Sequence, residues 1–369
     1  MMPKKITYAE SGENYTITDK FKREAQHAAR ETAHHLHRFG FSEVEWSRGE
    51  SVYLIETPWG YLAHVHEALG TKNLVADAMY PIVPQSLYDK IAQDTVASAV
   101  NDLITSGASP VSVSMHLAFG VPEWLNNEQR ASDLIHGWKN SCHISQCVWS
   151  GGETHTLKGI IGPETAMLGV SAIGIIMQKR RLIRGNIKHG DTIILLESSG
   201  IHTNGLTLAG EIEKNLPTGY RTRLSDGRMY GEALLDPTVI YVPVIEDCLN
   251  NGAEIHYAVN ITGHGWRKLM RAKEPFVYVI ENIPKPQPIF SFIQEHGPID
   301  DEEAWGNLNM GGGFALYVAP NTVDTVIAIA LNHGIPAFHA GHIEKRGGEK
   351  KVIIQPKGIE YHASSLDIR

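Results

Sequence analysis

Apolar and polar positions along the first half of the chain follow two different periods. Residues 51–72 (SVYLIETPWGYLAHVHEALGTK) contain two alternating apolar runs around Thr57-Pro58-Trp59-Gly60, which predicts a β-hairpin. Residues 91–108 carry apolar side chains at helical spacing and reach a stop at Gly107, which predicts a helix. The same reading gives a helical segment over 19–38, strands over 110–120 and 166–178, and a helix over 132–145. Residues 147–156 (CVWSGGETHT) are expected to turn from strand into loop, and residues 1–18 to form a mobile polar arm.

The second half begins a new cycle of strands and helices. A strand is predicted over 191–199, and helices are predicted over 206–216 and near 238–252. Residues 341–356 (GHIEKRGGEKKVIIQP) are expected to form a hairpin around Arg346-Gly347-Gly348. The polar link 178–190 separates the two cycles, so we predict two α+β domains with mixed or antiparallel sheets, over residues 1–178 and 179–369.

Composition narrows the class of protein. The chain has 369 residues and a net charge of −8, which argues against a general nucleic-acid or membrane-surface binder because phosphate backbones select basic faces. Its three cysteines, Cys142, Cys147 and Cys248, lack paired spacing, which suits a reducing compartment. The first residues lack the apolar core of a signal peptide, and no apolar run approaches the length of a membrane span. A cytoplasmic location is therefore expected.

Two acidic residues interrupt the apolar pattern of the helix predicted over 91–108. Asp94 and Asp102 are eight residues apart, so they are expected to project from similar faces about 12 Å apart by helical rise. Together with Glu67 at the end of a predicted strand, they could hold a hard cation through oxygen ligands. The alternative is a pair of solvated surface carboxylates. Because acids that flank a buried seam are costly without a partner, a site is favoured.

Five glycine-rich turns follow predicted strands. They are HEALGTKN (66–73), SGGETHT (150–156), SSGIHTNG (198–205), NITGHGW (260–266) and NMGGGF (309–314). Each turn taken alone is most simply a connection between two elements, but five such turns carrying Asn, Glu or Thr favour a phosphate-binding site. The third precedes a predicted helix but has Leu206 where a Walker A loop needs lysine.

The order and spacing of these segments resemble the aminoimidazole ribonucleotide synthetase (phosphoribosylformylglycinamidine cyclo-ligase) family. The resemblance runs from YAESGENYT through GTK, DTVASAVNDLITSGASP, GGET, GDTIILLESSGIHTNGLTL, LLDPTVIYVPVI and NITGHG to LNMGGGFALYV, nearly the whole chain. The LLDPTVIY and NMGGGF segments point to this branch rather than to related ATP-using branches such as selenophosphate synthetase and thiamine monophosphate kinase.

The resemblance implies a fold and a reaction. Two α+β domains would bind ATP and Mg²⁺ between them, and the amino-terminal domains of a homodimer would pair into a shared β-barrel. ATP would phosphorylate the formyl amide oxygen of formylglycinamidine ribonucleotide. The amidine nitrogen would then attack that carbon, giving aminoimidazole ribonucleotide, ADP and phosphate. Positioning and charge neutralisation are what such a protein supplies.

The resemblance also implies roles for individual residues. Lys72, Asp94 and His202 would be catalytic, with Lys72 on the phosphates and His202 either a proton carrier or a loop residue that caps the next helix. Mg²⁺ would be held by Asp94 and Asp102, with Glu67 as a less secure third ligand. The remaining nucleotide-binding positions are Gly70, Thr71, Asn101, Gly151, Gly152, Glu153, Thr154, Gly200, Asn204 and Gly205. The helix that begins near Leu206 would offer its free N–H groups to an anion.

Three departures from the family pattern lie in these turns. Glu67-Ala68-Leu69 replaces Asp-Gly-Val, His155-Thr156-Leu157-Lys158 replaces Ala-Glu-Met-Pro, and His264 replaces a glycine of a Thr-Gly-Gly-Gly turn. They leave two alternatives open: a kinase or phosphotransferase that acts on another small substrate, and a non-catalytic paralogue. The second is disfavoured because Asp94, Asp102 and Glu153 are present.

Overall fold

The computed structural model describes residues 15–366, which form two sheets packed with helices. The arm expected over residues 1–18 and the YAESGENYT segment lie for the most part outside the described residues. The first sheet uses strands up to Ile176 and the second uses strands from Thr192 onward. Within residues 15–366, no helix combines the length and the apolar character that a membrane crossing demands.

The amino-terminal half contains a six-stranded sheet in the order β1-β2-β3-β6-β4-β5. Its strands are β1 (Ser42–Glu43), β2 (Tyr53–Thr57), β3 (Gly60–Ala68), β4 (Ser109–Phe119), β5 (Val148–Thr156) and β6 (Ala166–Ile176). Its helices are α1 (Tyr15–Arg30), α2 (Lys72–Met79), α3 (Tyr88–Leu103) and α4 (Glu128–Ile144). All neighbouring strands are antiparallel except β4 and β5, so the sheet is mixed.

The carboxy-terminal half contains a seven-stranded sheet in the order β13-β12-β9-β11-β7-β10-β8. Its strands are β7 (Thr192–Glu197), β8 (Ile255–Asn260), β9 (Val277–Ile280), β10 (Gly312–Val318), β11 (Ala337–Glu344), β12 (Lys351–Ile354) and β13 (Ile359–His362). Its helices are α5 (Leu206–Glu213), α6 (Tyr230–Leu234), α7 (Val242–Asn250), α8 (Pro288–His296), α9 (Asp301–Asn307) and α10 (Val323–Asn332). The predicted two-part α+β architecture with mixed sheets is confirmed.

Several elements form where the apolar pattern predicts them. Strands β2 and β3 pair as a hairpin that closes at Thr57 and Gly60. Helix α3 buries its apolar side chains and is followed by Gly107 in the left-handed conformation, with φ of 80°. Both cases depend on local patterning, the period of apolar residues and the turn residue that stops it.

Two segments differ from the prediction. Residues 341–356 do not form a hairpin, because β9 lies between β11 and β12 and pairs with both. Strand β5 continues through Gly151 and Gly152 rather than ending in a loop. A Cβ at Gly152 would come within 1.9 Å of the Met115 carbonyl oxygen, so this glycine permits the close pairing of β5 with β4.

The amino-terminal sheet has one covered and one open face. Helix α3 packs on β3 and β6 and contacts α4, so alternate side chains such as Val65 and Val170 are buried. The opposite face carries exposed apolar side chains, with Ile173 45% and Met167 39% exposed. One sheet face is therefore uncovered within the described chain.

Candidate active site

A cleft of about 650 Å³ lies between the two halves of the molecule. One wall comes from α1, the loop before β2 and the end of β3, and the other from residues 203–207 and 262–271. The charged side chains of its lining include four acids and four bases, namely Asp19, Glu50, Glu67, Asp102, Lys22, Arg48, Lys268 and Arg271. A cleft of this size with charges of both signs suits an anionic ligand together with a cation.

The acidic part of the cleft is formed by Glu67 and Asp102. Glu67 ends β3 and Asp102 ends α3, and both carboxyls line the cleft. Burial and the neighbouring Asp102 raise the pKa of Glu67 to about 7. Burial also raises the pKa of Asp102, against the opposing charge of Lys268. Asp102 is buried and Glu67 is half-buried. Two carboxylates that repel each other at such positions fit a divalent cation, because hard cations prefer carboxylate oxygens.

One of these carboxylates also connects the two halves. The Asn260 side-chain amide at the end of β8 donates to Asp102 Oδ1 over 2.8 Å. This hydrogen bond fixes the carboxylate and leaves lone pairs available for a cation. Asp102 therefore combines cleft exposure with a rigid position.

The basic part of the cleft follows the NITGHGW turn. Lys268 Nζ donates to Thr262 Oγ1 and to the Asn260 carbonyl oxygen, and burial lowers the Lys268 pKa to about 8. Arg271 donates to the Gly49 carbonyl oxygen over 2.8 Å and its Nε lies 3.2 Å from a Glu50 carboxylate oxygen. Arg271 thus holds the loop before β2 against the second half, and both cations present positive charge beside the acidic pair.

The third feature of the cleft is the start of α5. Thr203, Asn204 and Gly205 line the cleft, and Gly205, with φ of 82°, precedes the first helical residue, Leu206. A Cβ at position 205 would lie 2.5 Å from Leu308, so both the backbone angle and the packing require glycine. The first N–H groups of a helix have no intrahelical partner and attract anions.

Lys72 and Asp94 lie away from the cleft, inside the protein. Lys72 Nζ is 2.9 Å and 2.8 Å from the two Asp94 carboxylate oxygens, and both side chains are 0% exposed. Lys72 also donates to the Asp236 carbonyl oxygen, while the Thr238 N–H and hydroxyl donate to Asp94 Oδ1. Burial lowers the pKa of Lys72 and raises that of Asp94, and the mutual attraction opposes both shifts. The pair joins the two halves.

The expectation that Asp94 and Asp102 share a face does not match this geometry. Eight residues correspond to about 80° beyond two full helical turns, so the two side chains diverge. Asp94 points to Thr238, whereas Asp102 points to the cleft and Asn260. Among residues 15–366 no group of three or more His, Cys, Asp or Glu side chains is arranged as a ready metal site.

Asn101 and Gln93 extend the same connection along α3. The Asn101 side chain donates to the Val239 carbonyl oxygen and accepts from the Tyr241 N–H, over 2.7 Å and 2.9 Å. Gln93 donates to the Thr238 carbonyl oxygen over 2.8 Å. Asn101, predicted to line the nucleotide side, is buried and satisfied by backbone partners.

His202 is buried beneath the loop that precedes α5. Its Nε2 accepts from the Ser199 N–H over 3.3 Å, and its ring lies near Tyr241. Burial and the charge of Lys72 lower its pKa to about 3, so the ring is neutral at physiological pH. The residue has φ of 58°. Of the two roles open for His202, this geometry favours the structural one.

The remaining predicted positions fall into three groups. Gly70 and Thr71 line the cleft, while Gly200 is buried with its carbonyl oxygen held by the Asn309 amide. Gly151–Thr154 lie exposed on β5, at the opposite edge of the sheet from the cleft. Three strand spacings separate Gly152 from Glu67 across the sheet register, or about 14 Å.

The Lys and Arg residues of the cleft are not among the residues predicted from the sequence. They are Lys22, Arg48, Lys268 and Arg271. A signal was present for two of them: Lys268 and Arg271 are three residues apart, just after NITGHGW. Side chains at this spacing face the same side of a helical segment, here partly the 3₁₀ helix Gly265–Met270.

Two family models match the chain. The model described as AIR synthase related protein, N-terminal domain, matches residues 61–176, and the corresponding C-terminal domain model matches residues 188–354. The two matches together span more than half of the chain, and each contains most of the strands of one sheet.

Curated relatives of similar length share this pattern. A protein of Methanocaldococcus jannaschii named phosphoribosylformylglycinamidine cyclo-ligase is 34% identical over 289 residues, covering 77% of this chain and 78% of the relative. Proteins of the same name from Methanothermobacter thermautotrophicus and Rippkaea orientalis are 30% and 33% identical. They cover 93% and 80% of this chain, and 96% and 85% of the relatives.

Solved structures share the fold at low identity. The HypE–HypF complex has a TM-score of 0.59 at 14% identity, covering 86% of this chain and 94% of that chain. HypE in complex with ATP has a TM-score of 0.56 at 16% identity, covering 75% of this chain and 79% of that chain. T. maritima PurL complexed with ADP has a TM-score of 0.54 at 13% identity, covering 87% and 46%.

Proposed function

The chain belongs to the AIR synthase related family, and we propose that it is an ATP-dependent cyclo-ligase. It converts formylglycinamidine ribonucleotide into aminoimidazole ribonucleotide with release of ADP and phosphate, a step of purine biosynthesis. The observation that carries this proposal is the interdomain cleft, in which an acidic pair, a group of cations and the start of α5 meet. Relatives that are named cyclo-ligases over most of their length support it.

Glu67 and Asp102 are the residues that we propose for Mg²⁺. Their mutual repulsion fits a divalent cation, and Asn260 holds one of them in place. When bound, Mg²⁺ supplies charge neutralisation to the phosphates of ATP. Asp94 is reassigned to the connection between the two halves.

The basic residues and the α5 terminus bind anionic groups in this proposal. Lys268 and Arg271 lie beside the acidic pair, and the amides at Gly205 and Leu206 begin the helix. These groups orient the phosphates of ATP and of the ribonucleotide, while the cleft excludes water from the reacting amide. Positioning and electrostatic stabilisation of this kind are the main contributions that a protein makes to phosphoryl transfer.

The uncovered face of the amino-terminal sheet supports a homodimer. Ile173 and Met167 are exposed there, and β5 lies at the edge with Val148 62% exposed. In a dimer formed through this sheet, as the resemblance implies, Glu153 and Thr154 would face the partner rather than the cleft of their own chain. Sedimentation of the full chain tests this, and a monomer at micromolar concentration would contradict it.

A coupled assay of ADP release tests the activity. Purified full-length chain is mixed with ATP, Mg²⁺ and formylglycinamidine ribonucleotide, and the aminoimidazole product is detected by its colour reaction after diazotisation. We expect turnover that requires all three components. ATP binding without turnover of this ribonucleotide would overturn the proposal. It would favour a phosphotransferase with a different acceptor, the alternative that the departures at residues 67–69 and 155–158 leave open.

A further inference from the structure

Helix α1 lies along the mouth of the cleft. Asp19, Lys22 and Gln26 line the cleft, and their spacing places them on one face of the helix. The opposite face is open to solvent, with Phe21 72% exposed. The helix thus adds charged side chains to the cleft while burying little apolar surface of its own.

His264 meets this helix from the other half of the molecule. Its Nε2 lies 3.6 Å from a carboxylate oxygen of Asp19, and the two side chains are 11% and 10% exposed. Asp19 also accepts from Lys22 Nζ over 3.3 Å. Asp19 therefore lies between the imidazole on one side and the ammonium group that faces the cleft on the other.

The backbone of His264 is in a conformation that histidine adopts infrequently. Its φ is 68°, in the left-handed region where glycine is favoured, and the next residue, Gly265, has φ of 49°. A Cβ at Gly265 would come within 2.6 Å of the Trp305 carbonyl oxygen, so the turn is fixed by its packing. A histidine side chain is thus held at the cleft wall in a turn whose shape suits glycine.

The charge of the imidazole suits this position. Burial, with Lys268 and Arg267 nearby, lowers the pKa of His264 to about 4, so the ring is neutral at physiological pH. At 3.6 Å the contact with Asp19 is longer than a hydrogen bond, and a neutral ring forms no ion pair, so the imidazole holds Asp19 by packing against a side chain that is also nearly buried. The imidazole also fills space that a glycine would leave empty.

We propose that His264 is a specificity-determining residue that fixes α1 over the cleft through Asp19, so that Lys22 faces the phosphate monoester of the bound ribonucleotide. The proposal rests on the function given above, because it names the part of the substrate that this side of the cleft recognises. His264 acts through α1 and is a positioning residue, whereas Lys22 is the group that touches the ligand.

Steady-state kinetics with two pairs of variants test the inference. Lys22→Met removes the ammonium group at the mouth of the cleft, and Phe21→Ala alters the outward face of the same helix as the matched control. We expect Lys22→Met to raise the KM for formylglycinamidine ribonucleotide about tenfold or more with kcat within about twofold, because a charge-assisted hydrogen bond to phosphate is lost. Phe21→Ala should leave both constants unchanged. Equal constants for Lys22→Met and wild type would overturn the role of Lys22.

The second pair tests His264. His264→Gly keeps the left-handed backbone and removes the imidazole, while His264→Asn tolerates the same φ and keeps a polar side chain. We expect His264→Gly to raise the same KM and to speed tryptic cleavage at Lys20, Lys22 and Arg23, with His264→Asn between it and wild type. Unchanged cleavage and unchanged KM in His264→Gly would overturn the inference even if wild type turns over. Cleavage is measured without substrate, so it decides the contact even if the ribonucleotide is not the substrate.

Discussion

Two pairs of charged residues from adjacent stretches of sequence end in opposite situations. Glu67 and Asp102 carry like charges at the wall of the cleft, where burial and repulsion raise the pKa of Glu67 to about 7. Lys72 and Asp94 carry opposite charges inside the protein and neutralise each other within 2.9 Å. The first pair has charge left for a ligand to neutralise, and the second has none.

The two pairs are therefore suited to two different roles. A buried pair of opposite charges connects parts of a protein, whereas two neighbouring carboxylates that repel each other are suited to a cation. Asp94 and Asp102 belong to the same helix, α3, yet one reaches Thr238 and the other reaches the cleft. The partner on the facing element, and not the residue type, decides the role.

The largest expected effect comes from breaking the internal pair. Lys72→Met leaves the Asp94 carboxylate buried without its cation, so we expect the free energy of unfolding to fall by about 3–5 kcal/mol. Urea denaturation followed by circular dichroism measures this. Lys20→Met, at an exposed position of α1, is the matched control. Adding Asp94→Asn to Lys72→Met should recover part of the loss, because the amide is neutral and still accepts from Thr238.

The opposite outcome would place both pairs of residues in one nucleotide-binding site. If Lys72→Met were as stable as wild type but had lost nucleotide affinity, Lys72 would be a ligand of the phosphates and the internal connection would be refuted.

The next effect comes from the cleft pair. Glu67→Gln should raise the Mg²⁺ concentration for half-maximal turnover about 100-fold, which corresponds to about 2.7 kcal/mol of binding free energy, because an anionic ligand becomes a neutral amide. Stability should not fall, since the repulsion with Asp102 disappears. Measuring the Mg²⁺ concentration for half-maximal turnover together with the thermal midpoint separates the two quantities, and Glu164→Gln, at an exposed position, is the control. Loss of stability with unchanged Mg²⁺ dependence would contradict the metal role.

The pH dependence of the same residue sharpens the test. The Glu67 pKa is raised from 4.5 to about 7, so the folded chain binds more protons than the unfolded chain in that window. In the absence of metal, the contribution of Glu67 to the free energy of unfolding is lost as pH rises from about 4.5 to about 7. The affinity for Mg²⁺ increases over the same range, because the carboxyl group loses its proton. Glu67→Gln should flatten both dependences.

The last expected effect concerns His202 and is absent at neutral pH. Its pKa is lowered from 6.5 to about 3, so the unfolded chain binds more protons between these values and stability is lost as pH falls from about 6.5 toward 3. The slope from one such group is at most about 1.4 kcal/mol per pH unit. His202→Asn, which tolerates a positive φ, should reduce the slope in urea titrations over this range. An identical slope would show that His202 is protonated in the folded state.

Local patterning predicts part of this molecule from its sequence. Apolar periodicity predicts the hairpin of β2 and β3 and also helix α3. The turn at Gly60 and the helix end near Gly107 are likewise properties of neighbouring residues. The supposed hairpin of β11 and β12 is wrong because a strand more than sixty residues earlier, β9, lies between them. Pairings between distant segments leave no trace in a local period.

The candidate site was predictable to a similar extent. Glu67, Asp102, Asn204 and Gly205 were identified, and all of them border the cleft. Gly152 has a steric reason in the fold, the Met115 carbonyl oxygen 1.9 Å from where its Cβ would lie, and this reason cannot be read from the sequence. A glycine that admits a phosphate and a glycine that admits a neighbouring strand have the same letter in the sequence, and their surroundings become known only from the fold.

The hydrogen bonds that leave α3 also limit how the two halves can evolve or be recombined. Gln93, Asp94 and Asn101 are matched to the 236–241 segment, and Asp102 is matched to Asn260. A chimera that takes its front half from this chain and its rear half from a distant relative would inherit only one member of each match. Such domain exchanges should fail unless the hydrogen-bonded residues on both sides of this interface come from the same parent protein.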